Sequence, residues 1–407
     1  MDSIGDQLAR MRNRAGLTQD QLAEIAGISV TVVRKLEHGG TARIESYHAL
    51  ARALGVRTMM FVPAGLDDTD GDPMINDERT LAVSALRDVL LPPVGFGGEI
   101  FRTIHADQPP DLTKLRGAVD TFGDEYEAGN YGALGRMAAG LLRSAHFHVE
   151  SLGGEQSTRA KAMRADALNL MAMYLIQIRE HDLAAVAARS ALADAESAGE
   201  PDLAVSAIDW QLWVLQRHAR LDTAEETAAR VADQVEPSMR TATPDQLASW
   251  GRLLLRASGS AARNNRPEVA ADYLEAAGAA ARVLGRETND LAGRYGFGPG
   301  TVASRGPENM MVAGRPDEAL KLLDVSRGLD PSTSTGAWRK QLVRAEALGQ
   351  LGRRDDALNT VVALMAKAPG WTTQQQYART VMAALVGKGG RLTAAQRKVA
   401  EALHITI

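Results

Sequence analysis

The sequence contains no cysteine. That absence excludes disulfide bonds, zinc sites built on thiolates and cysteine nucleophiles. Aromatic residues make up only 4% of the chain, and patterns typical of strands are nearly absent. An alanine- and leucine-rich chain of this kind favours an all-α protein. No apolar run approaches a membrane span and the first residues lack the hydrophobic region of a signal peptide, so we expect no membrane partner and a cytoplasmic location.

Length and charge indicate more than one domain. A chain of 407 residues exceeds a single small binding module. The net charge is −4, yet residues 1–62 carry eight basic and six acidic side chains. A weakly basic segment attached to a large acidic body is more typical of a regulator than of a protein that coats DNA nonspecifically.

Residues 17–39 have the pattern of two short helices that meet at a tight turn. Thr18 is a suitable N-cap for the first helix, and Ser29 for the second. Gly27 can adopt the left-handed conformation that ends a helix, and Gly39 closes the second one. A helix, a short turn and a second helix form the arrangement that places a recognition helix in the major groove of DNA.

Helical spacing of apolar residues predicts the core of this segment. The residues expected to face inward are Leu22, Ala23, Ala26, Val32, Val33 and Leu36. Further helices are predicted over residues 4–15, 44–54 and 56–62. Together they would form a five-helix domain over residues 1–65.

The second helix of the motif offers a modest set of base-reading side chains. Thr31 presents a hydroxyl and a methyl group, Lys35 can reach guanine O6 and N7, and Val30 offers only apolar contact. Arg34 is better placed for phosphate, which positions a protein without specifying sequence. Because so few groups read bases, we expect a homodimer that binds two half-sites of an inverted repeat.

Over about residues 4–57 the sequence resembles the XRE (Cro/repressor-like) helix-turn-helix family. The residues that carry this resemblance are Thr18-Gln19, Leu22-Ala23, Gly27-Ile28-Ser29, Leu36-Glu37, Gly39 and the run from Leu50 to Gly55. The resemblance implies a phosphate contact for Gln19, a backbone contact for Arg43, and an Arg12–Glu37 pair that joins helices one and three. The complete predicted DNA-binding set is Gln19, Ser29, Val30, Thr31, Arg34, Lys35 and Arg43.

An acidic segment follows the predicted DNA-binding domain. Residues 67–78 include six acidic side chains together with Gly71 and Pro73, which is typical of a solvated linker. Residues 81–91 have a helical pattern. We therefore assign residues 66–111 to a linker and a connecting helix.

From residue 112 onward the chain is predicted to be one helix after another. A turn motif at residues 314–320 recurs 38 positions later at residues 352–358. Weaker versions of the same motif occur before residue 314. Such periodicity predicts tetratricopeptide-like helical hairpins, about six of them over residues 112–407, stacked into an α-solenoid with a concave surface. A single helix over residues 393–403 would cap the array.

The region over residues 297–369 resembles the C-terminal part of an actinobacterial class of XRE regulators fused to tetratricopeptide-like repeats. Phe297-Gly298-Pro299 carries this resemblance. The sequence departs from that class at Gly306-Pro307, where the helix is expected to kink or restart. The two-part architecture also resembles the peptide-sensing quorum regulators of Gram-positive bacteria.

Several polar and aromatic residues of the repeat region are candidates for effector binding. Asn169 and Gln177 are amides on an otherwise apolar helix, and Trp210, Trp213 and Arg217 share one helical face. Tyr295 lies on a glycine-rich loop. The alternative for the tryptophans is core packing, which is their usual role.

No catalytic, cofactor or metal motif stands out. His146 and His148 are two positions apart on a helix and therefore face different directions, which makes them poor partners for one metal ion. The zincin, serine-hydrolase and phosphate-loop motifs are all missing. We therefore expect no metal, no cofactor and no enzyme activity.

These features predict a DNA-binding transcriptional regulator whose repeat domain senses a peptide or small molecule and mediates dimerisation. Two alternatives remain open. One is a regulator controlled by a protein partner held in the superhelix, and the other is an enzyme or scaffold with a vestigial DNA-binding head.

Overall fold

The structure is a computed structural model that describes residues 4–39, 46, 49–50, 53–54, 77–98, 109–289 and 295–406. The chain divides into two compact units, residues 1–75 and 76–407. Helices dominate both units, and the described strands are two short ones. The predicted all-α fold is confirmed.

The first unit contains the predicted pair of helices and the helix that precedes them. Thr18 and Gln21 form a reciprocal capping box at the start of the second helix, and Gly27 ends that helix at φ 66°. The third helix begins after Ser29, which has extended backbone angles but makes no side-chain capping bond. The helices are α1 (Ile4–Arg14), α2 (Gln19–Ala26) and α3 (Val30–Glu37).

A small apolar core holds these helices together, with Leu8, Leu22, Val33, Leu36 and Leu50 almost fully buried. A side chain at Gly5 would place its Cβ 2.5 Å from the Glu37 carbonyl oxygen, so only glycine lets α1 approach the end of α3 so closely. Positions 46, 49–50 and 53–54 of the predicted fourth helix are helical, while most of its residues and the predicted fifth helix lie outside the described residues.

The second unit begins with α4 (Asp77–Leu90). Leu86 and Val89 are buried in the main core of this unit, so the predicted connecting helix packs as part of the repeat array. Residues 67–76 of the predicted linker lie outside the described residues.

Within residues 109–406, six helical hairpins follow one another. Proline at the first position of several helices fits the N–H groups that a helix start leaves without partners. The hairpins are α5 (Leu112–Glu127) with α6 (Tyr131–Ser151), α7 (Gly154–Gln177) with α8 (His181–Ala198), α9 (Pro201–Arg217) with α10 (Leu221–Gln234), α11 (Pro244–Arg263) with α12 (Pro267–Leu284), α13 (Pro299–Val312) with α14 (Pro316–Val325), and α15 (Ser334–Gln350) with α16 (Arg354–Lys367). The unit closes with α17 (Pro369–Gln374), α18 (Gln376–Gly387) and α19 (Ala394–Ala402), the last capped by Thr393 as a single helix.

The two ends of the repeat array meet. Glu127 of α5 accepts a hydrogen bond from the Ser334 backbone N–H at 2.7 Å, and Gln375 donates to the Gln177 side chain at 2.8 Å. One continuous apolar core contains residues of α5 to α9 together with residues of α15 to α19. The inner helices therefore surround a cavity, where the sequence had predicted only a concave surface.

The helix α13 runs without interruption through Gly306 and Pro307, both buried. The predicted restart of the chain at this position is wrong. Proline removes one helical donor, but contacts of the buried helix with its neighbours outweigh that local cost.

A short antiparallel pair, β1 (Thr288–Asn289) and β2 (Tyr295–Phe297), precedes α13. The prediction that Tyr295 lies on a loop is therefore wrong, because backbone pairing with β1 makes this position the start of a strand. The Phe297 ring is fully buried against α11 at Gly251. A Cβ at position 251 would lie 2.0 Å from this ring, so the ring occupies space that only glycine leaves open.

We therefore expect Gly251→Ala to lower the free energy of unfolding of the repeat unit by about 2 kcal/mol, because the Phe297 ring must move out of its site. Urea unfolding followed by circular dichroism measures the change. Gly140→Ala is the matched control, since a Cβ there meets nothing within 4 Å and alanine in a helix is favoured by up to about 1 kcal/mol. Equal behaviour of the two variants would contradict this prediction.

Candidate functional sites

The third helix of the first unit has one buried face and one exposed face. Val33 and Leu36 are buried in the core, whereas Thr31, Arg34 and Lys35 are exposed. The exposed face therefore presents a hydroxyl, a guanidinium and an ammonium group to solvent.

The N-terminal end of this helix also faces solvent. Ser29 is exposed, and its hydroxyl makes no capping bond. Val30 is half-buried and packs partly against the core. Arg34 lies 3.6 Å from the Asp20 carboxylate, and both side chains are exposed, so this ion pair is weak. Arg43 lies outside the described residues.

Three side chains join α1, α2 and α3. Arg12 donates to Glu37 through Nε at 2.6 Å and Nη2 at 3.1 Å, and the Gln19 amide donates to the same carboxylate at 2.6 Å. Burial alone would raise the pKa of Glu37, but these donors hold it below its usual value. The network keeps the exposed face of α3 in a set orientation relative to α1 and α2.

The repeat unit contains a half-open cavity of about 290 Å³. Four of the residues singled out from the sequence line it, namely Gln177, Trp210, Trp213 and Arg217. Asn169 does not line it, because that side chain is fully buried and donates to the Leu203 carbonyl oxygen at 3.1 Å. The side chain of Tyr295 lies outside the described residues.

Arginines dominate the polar lining of this cavity. They come from four helices that are far apart in sequence, α9, α11, α13 and α15. The six are Arg217, Arg252, Arg256, Arg263, Arg305 and Arg339, and the two lining carboxylates are Asp209 and Glu308. Positive charge on the lining therefore exceeds negative charge by four.

Sequence analysis missed five of these arginines, although one signal was present. Arg252, Arg256 and Arg263 recur at i, i+4 and i+11 on α11, which places them on one face of a helix that is otherwise apolar and small. Arg305 on α13 and Arg339 on α15 are each the one lining arginine of their helix and belong to no comparable pattern.

Both carboxylates are already engaged by arginines. Asp209 receives two hydrogen bonds from Arg256, at 2.7 and 3.0 Å. Glu308 receives one from Arg305 at 2.6 Å and one from Arg339 at 3.1 Å. Bidentate and shared pairs of this kind fix the guanidinium planes as well as neutralising charge.

Arg217 and Arg263 carry two of the four excess positive charges. Within the described part of the chain, neither Arg217 nor Arg263 forms an ion pair with a carboxylate. Burial and the neighbouring arginines lower the pKa of each guanidinium to about 10. Both groups therefore stay protonated at neutral pH, and Glu308 offsets only part of the positive field that the neighbouring arginines create.

Trp213 contacts two guanidinium groups through its ring. The Cζ atoms of Arg217 and Arg256 are each 5.4 Å from the centre of its ring, a distance at which the electron-rich face attracts a cation. Trp213 thus positions these arginines rather than simply filling the core.

The two histidines considered from the sequence make ordinary structural contacts. His148 bonds the Ser144 carbonyl oxygen through Nδ1 and accepts from the Asp111 N–H at Nε2. Among the described residues no cluster of three or more histidine, aspartate or glutamate side chains could hold a metal ion. In the same part of the chain no helix is both long and apolar enough to cross a membrane.

Residues 8–59 match the family model described as Helix-turn-helix. The N-terminal unit is therefore an XRE-type helix-turn-helix domain, and it is fused to a unit of helical repeats. The chain carries a DNA-binding domain of the kind found in transcription regulators.

The wider comparisons are less informative. No curated protein matches the sequence. Among solved structures, the crystal structure of Bacillus thuringiensis PlcR in complex with the peptide PapR7 and DNA is similar over 91% of this chain and 96% of that chain, with 12% identity and a TM-score of 0.33. Because that score is low, nothing about the ligand or assembly of this chain follows from it.

Proposed function

We propose that this protein is a sequence-specific transcriptional regulator whose DNA contacts centre on Thr31 and Lys35. The observation that carries the proposal is the exposed face of α3 in a helix-turn-helix domain, with the opposite face anchored in the core. Thr31 and Lys35 would meet base edges in the major groove, with Val30 alongside. Gln19, Ser29, Arg34 and Arg43 would contact the phosphate backbone.

We propose further that the protein acts as a homodimer on an inverted repeat. A single recognition helix with two polar base-reading groups supplies little affinity, so two half-sites with centres about 10 base pairs apart, or a multiple of that spacing, would be needed. The arginine-lined cavity supports a sensor role for the repeat unit. An effector bound there would shift the population towards the state that binds the operator better or worse.

Selection of bound sequences from a random DNA pool by the full-length protein tests this proposal. We expect enrichment of an inverted repeat at moderate salt. The double variant Thr31→Ala, Lys35→Ala should lose the preference for that repeat over random DNA by about thirty-fold or more, since it removes two base contacts and each good base contact is worth about 1–3 kcal/mol.

Arg34→Ala is the matched control, because loss of a phosphate contact weakens binding to all sequences alike and leaves the preference intact. Enrichment that is equally strong in the double variant would overturn the assignment of the base-reading residues. Operator affinity that no ligand of the cavity changes would overturn the sensor role.

A further inference from the structure

We propose that the cavity of the repeat unit binds a compact polyanion, a small molecule with at least two negative charges on phosphate or carboxylate groups. The inference rests on the sensor role proposed above and names the chemical class of the effector. Arg217 and Arg263 would be the principal contacts.

Charge balance is the first argument. A cavity wall with four more arginines than carboxylates concentrates positive charge, and like charges so close together repel one another. The two lining carboxylates are already bound to Arg256, Arg305 and Arg339. A bound ligand with two or more negative charges would compensate the excess, which an uncharged or cationic molecule would not.

Hydrogen-bonding capacity is the second argument. The guanidinium groups of the six lining arginines offer only hydrogen-bond donors, whereas the two lining carboxylates already accept from three of these arginines. Phosphate and carboxylate groups offer only acceptors, and the guanidinium fork matches their geometry with two parallel bonds.

Access and size are the third argument. Arg217 and Arg263 both line the cavity and both are exposed, so a ligand can reach them without unfolding the wall. A volume of about 290 Å³ is at the lower end of ligand pockets, which favours a compact metabolite over an extended chain.

Isothermal titration calorimetry of the full-length protein, without DNA, tests the proposal. The probes are pyrophosphate, which carries phosphate groups, and citrate, which carries carboxylates. We expect at least one of them to bind at one site per chain, more weakly as salt rises. Binding of pyrophosphate alone would assign a phosphate ligand, and binding of citrate alone a carboxylate ligand.

Three variants locate the site. Arg217→Gln and Arg263→Gln should each weaken binding by about ten-fold or more, which is the loss of one charge-assisted hydrogen bond. Glu308→Gln removes a competing negative charge and should tighten binding several-fold, a change that misfolding cannot produce. Arg220→Gln is the control on the same hairpin, exposed and outside the lining.

The helix-turn-helix unit is a second place where an anion could bind, so Lys35→Gln serves as a control for that site. Anion affinity unchanged by Lys35→Gln but lost in Arg217→Gln supports the proposal. Loss in Lys35→Gln, an unchanged affinity in Arg217→Gln, or no binding of either probe overturns it. The calorimetry contains no DNA, so its outcome does not depend on the outcome of the DNA selection. A regulator that binds a different ligand would fail the calorimetric test but still enrich an inverted repeat, whereas a protein that does not read DNA would enrich none.

Discussion

Replacing Glu37 by alanine is expected to lower the free energy of unfolding of the helix-turn-helix unit by about 3 kcal/mol, because the change leaves a mostly buried guanidinium without its counter-charge. Glu37 accepts hydrogen bonds from both Arg12 and Gln19 and ties the three described helices of this unit together. The side chains of the ion pair are 13% and 7% exposed, so solvent screens it little. Small domains have only about 5–15 kcal/mol of stability, so this loss is large.

Hydrogen exchange of α3 amides in the full-length protein measures the effect without requiring the two units to unfold together. Protection in α3 should fall in Glu37→Ala, and operator affinity should fall with it because the recognition helix loses its fixed orientation. Glu24→Ala, an exposed glutamate on α2, is the control and should leave exchange within about 0.5 kcal/mol of wild type. Unchanged protection in Glu37→Ala would show that the pair makes no net contribution.

The pH dependence of this contribution has a definite sign. The pKa of Glu37 is lower in the folded unit than the ordinary value of 4.5. The carboxylate therefore contributes its full stabilisation above about pH 4.5 and loses it as pH falls through the lowered folded value. The difference in α3 protection between wild type and Glu37→Gln should shrink over that acidic range.

Replacing Glu308 by glutamine is expected to destabilise the repeat unit by about 3 kcal/mol at neutral pH. Burial alone would raise the pKa of Glu308, but Arg305, Arg339 and Arg263 lower it from 4.5 to about 2. Glutamine has nearly the shape of the protonated acid, so the stability lost at neutral pH follows this shift at about 1.4 kcal/mol per pKa unit.

Urea unfolding as a function of pH measures this effect. Because the folded pKa is depressed, the wild-type advantage is fully present above about pH 4.5 and disappears as pH falls towards 2. Glu318→Gln is the control, since its ion pair with Arg315 lies on the surface and is worth less than about 1 kcal/mol. A stability difference for Glu308→Gln that stays constant down to pH 2 would contradict the assignment.

Local features of the first unit were predictable because they depend on neighbouring residues. A threonine three positions before a glutamine forms the capping box at α2, and Gly27 adopts the left-handed conformation that its position required. Apolar residues at helical spacing fill the core. What spacing could not reveal is that the Gln19 amide donates a hydrogen bond to the Glu37 carboxylate, since the two residues are 18 positions apart on different helices.

The residues of the cavity also divide into those that the sequence indicated and those that it did not. Trp210, Trp213 and Arg217 could be singled out because one helix places all three on one face. Glu308 could not, because its role comes from Arg305 on its own helix and Arg339 on another hairpin. The sequence of α13, with proline at its ninth position, did not indicate that this helix lines a cavity.

The sequence by itself determined that the chain is helical and that the helices after residue 112 are arranged as hairpins, because capping, helical periodicity and turn residues act over a few positions. Only the tertiary structure decided that the hairpin array closes on itself, with Glu127 bonded to the Ser334 backbone and Gln375 to Gln177. The curvature of a solenoid is the sum of small rotations between successive repeats, and no single repeat encodes that sum. The arginine-lined cavity exists because of this closure.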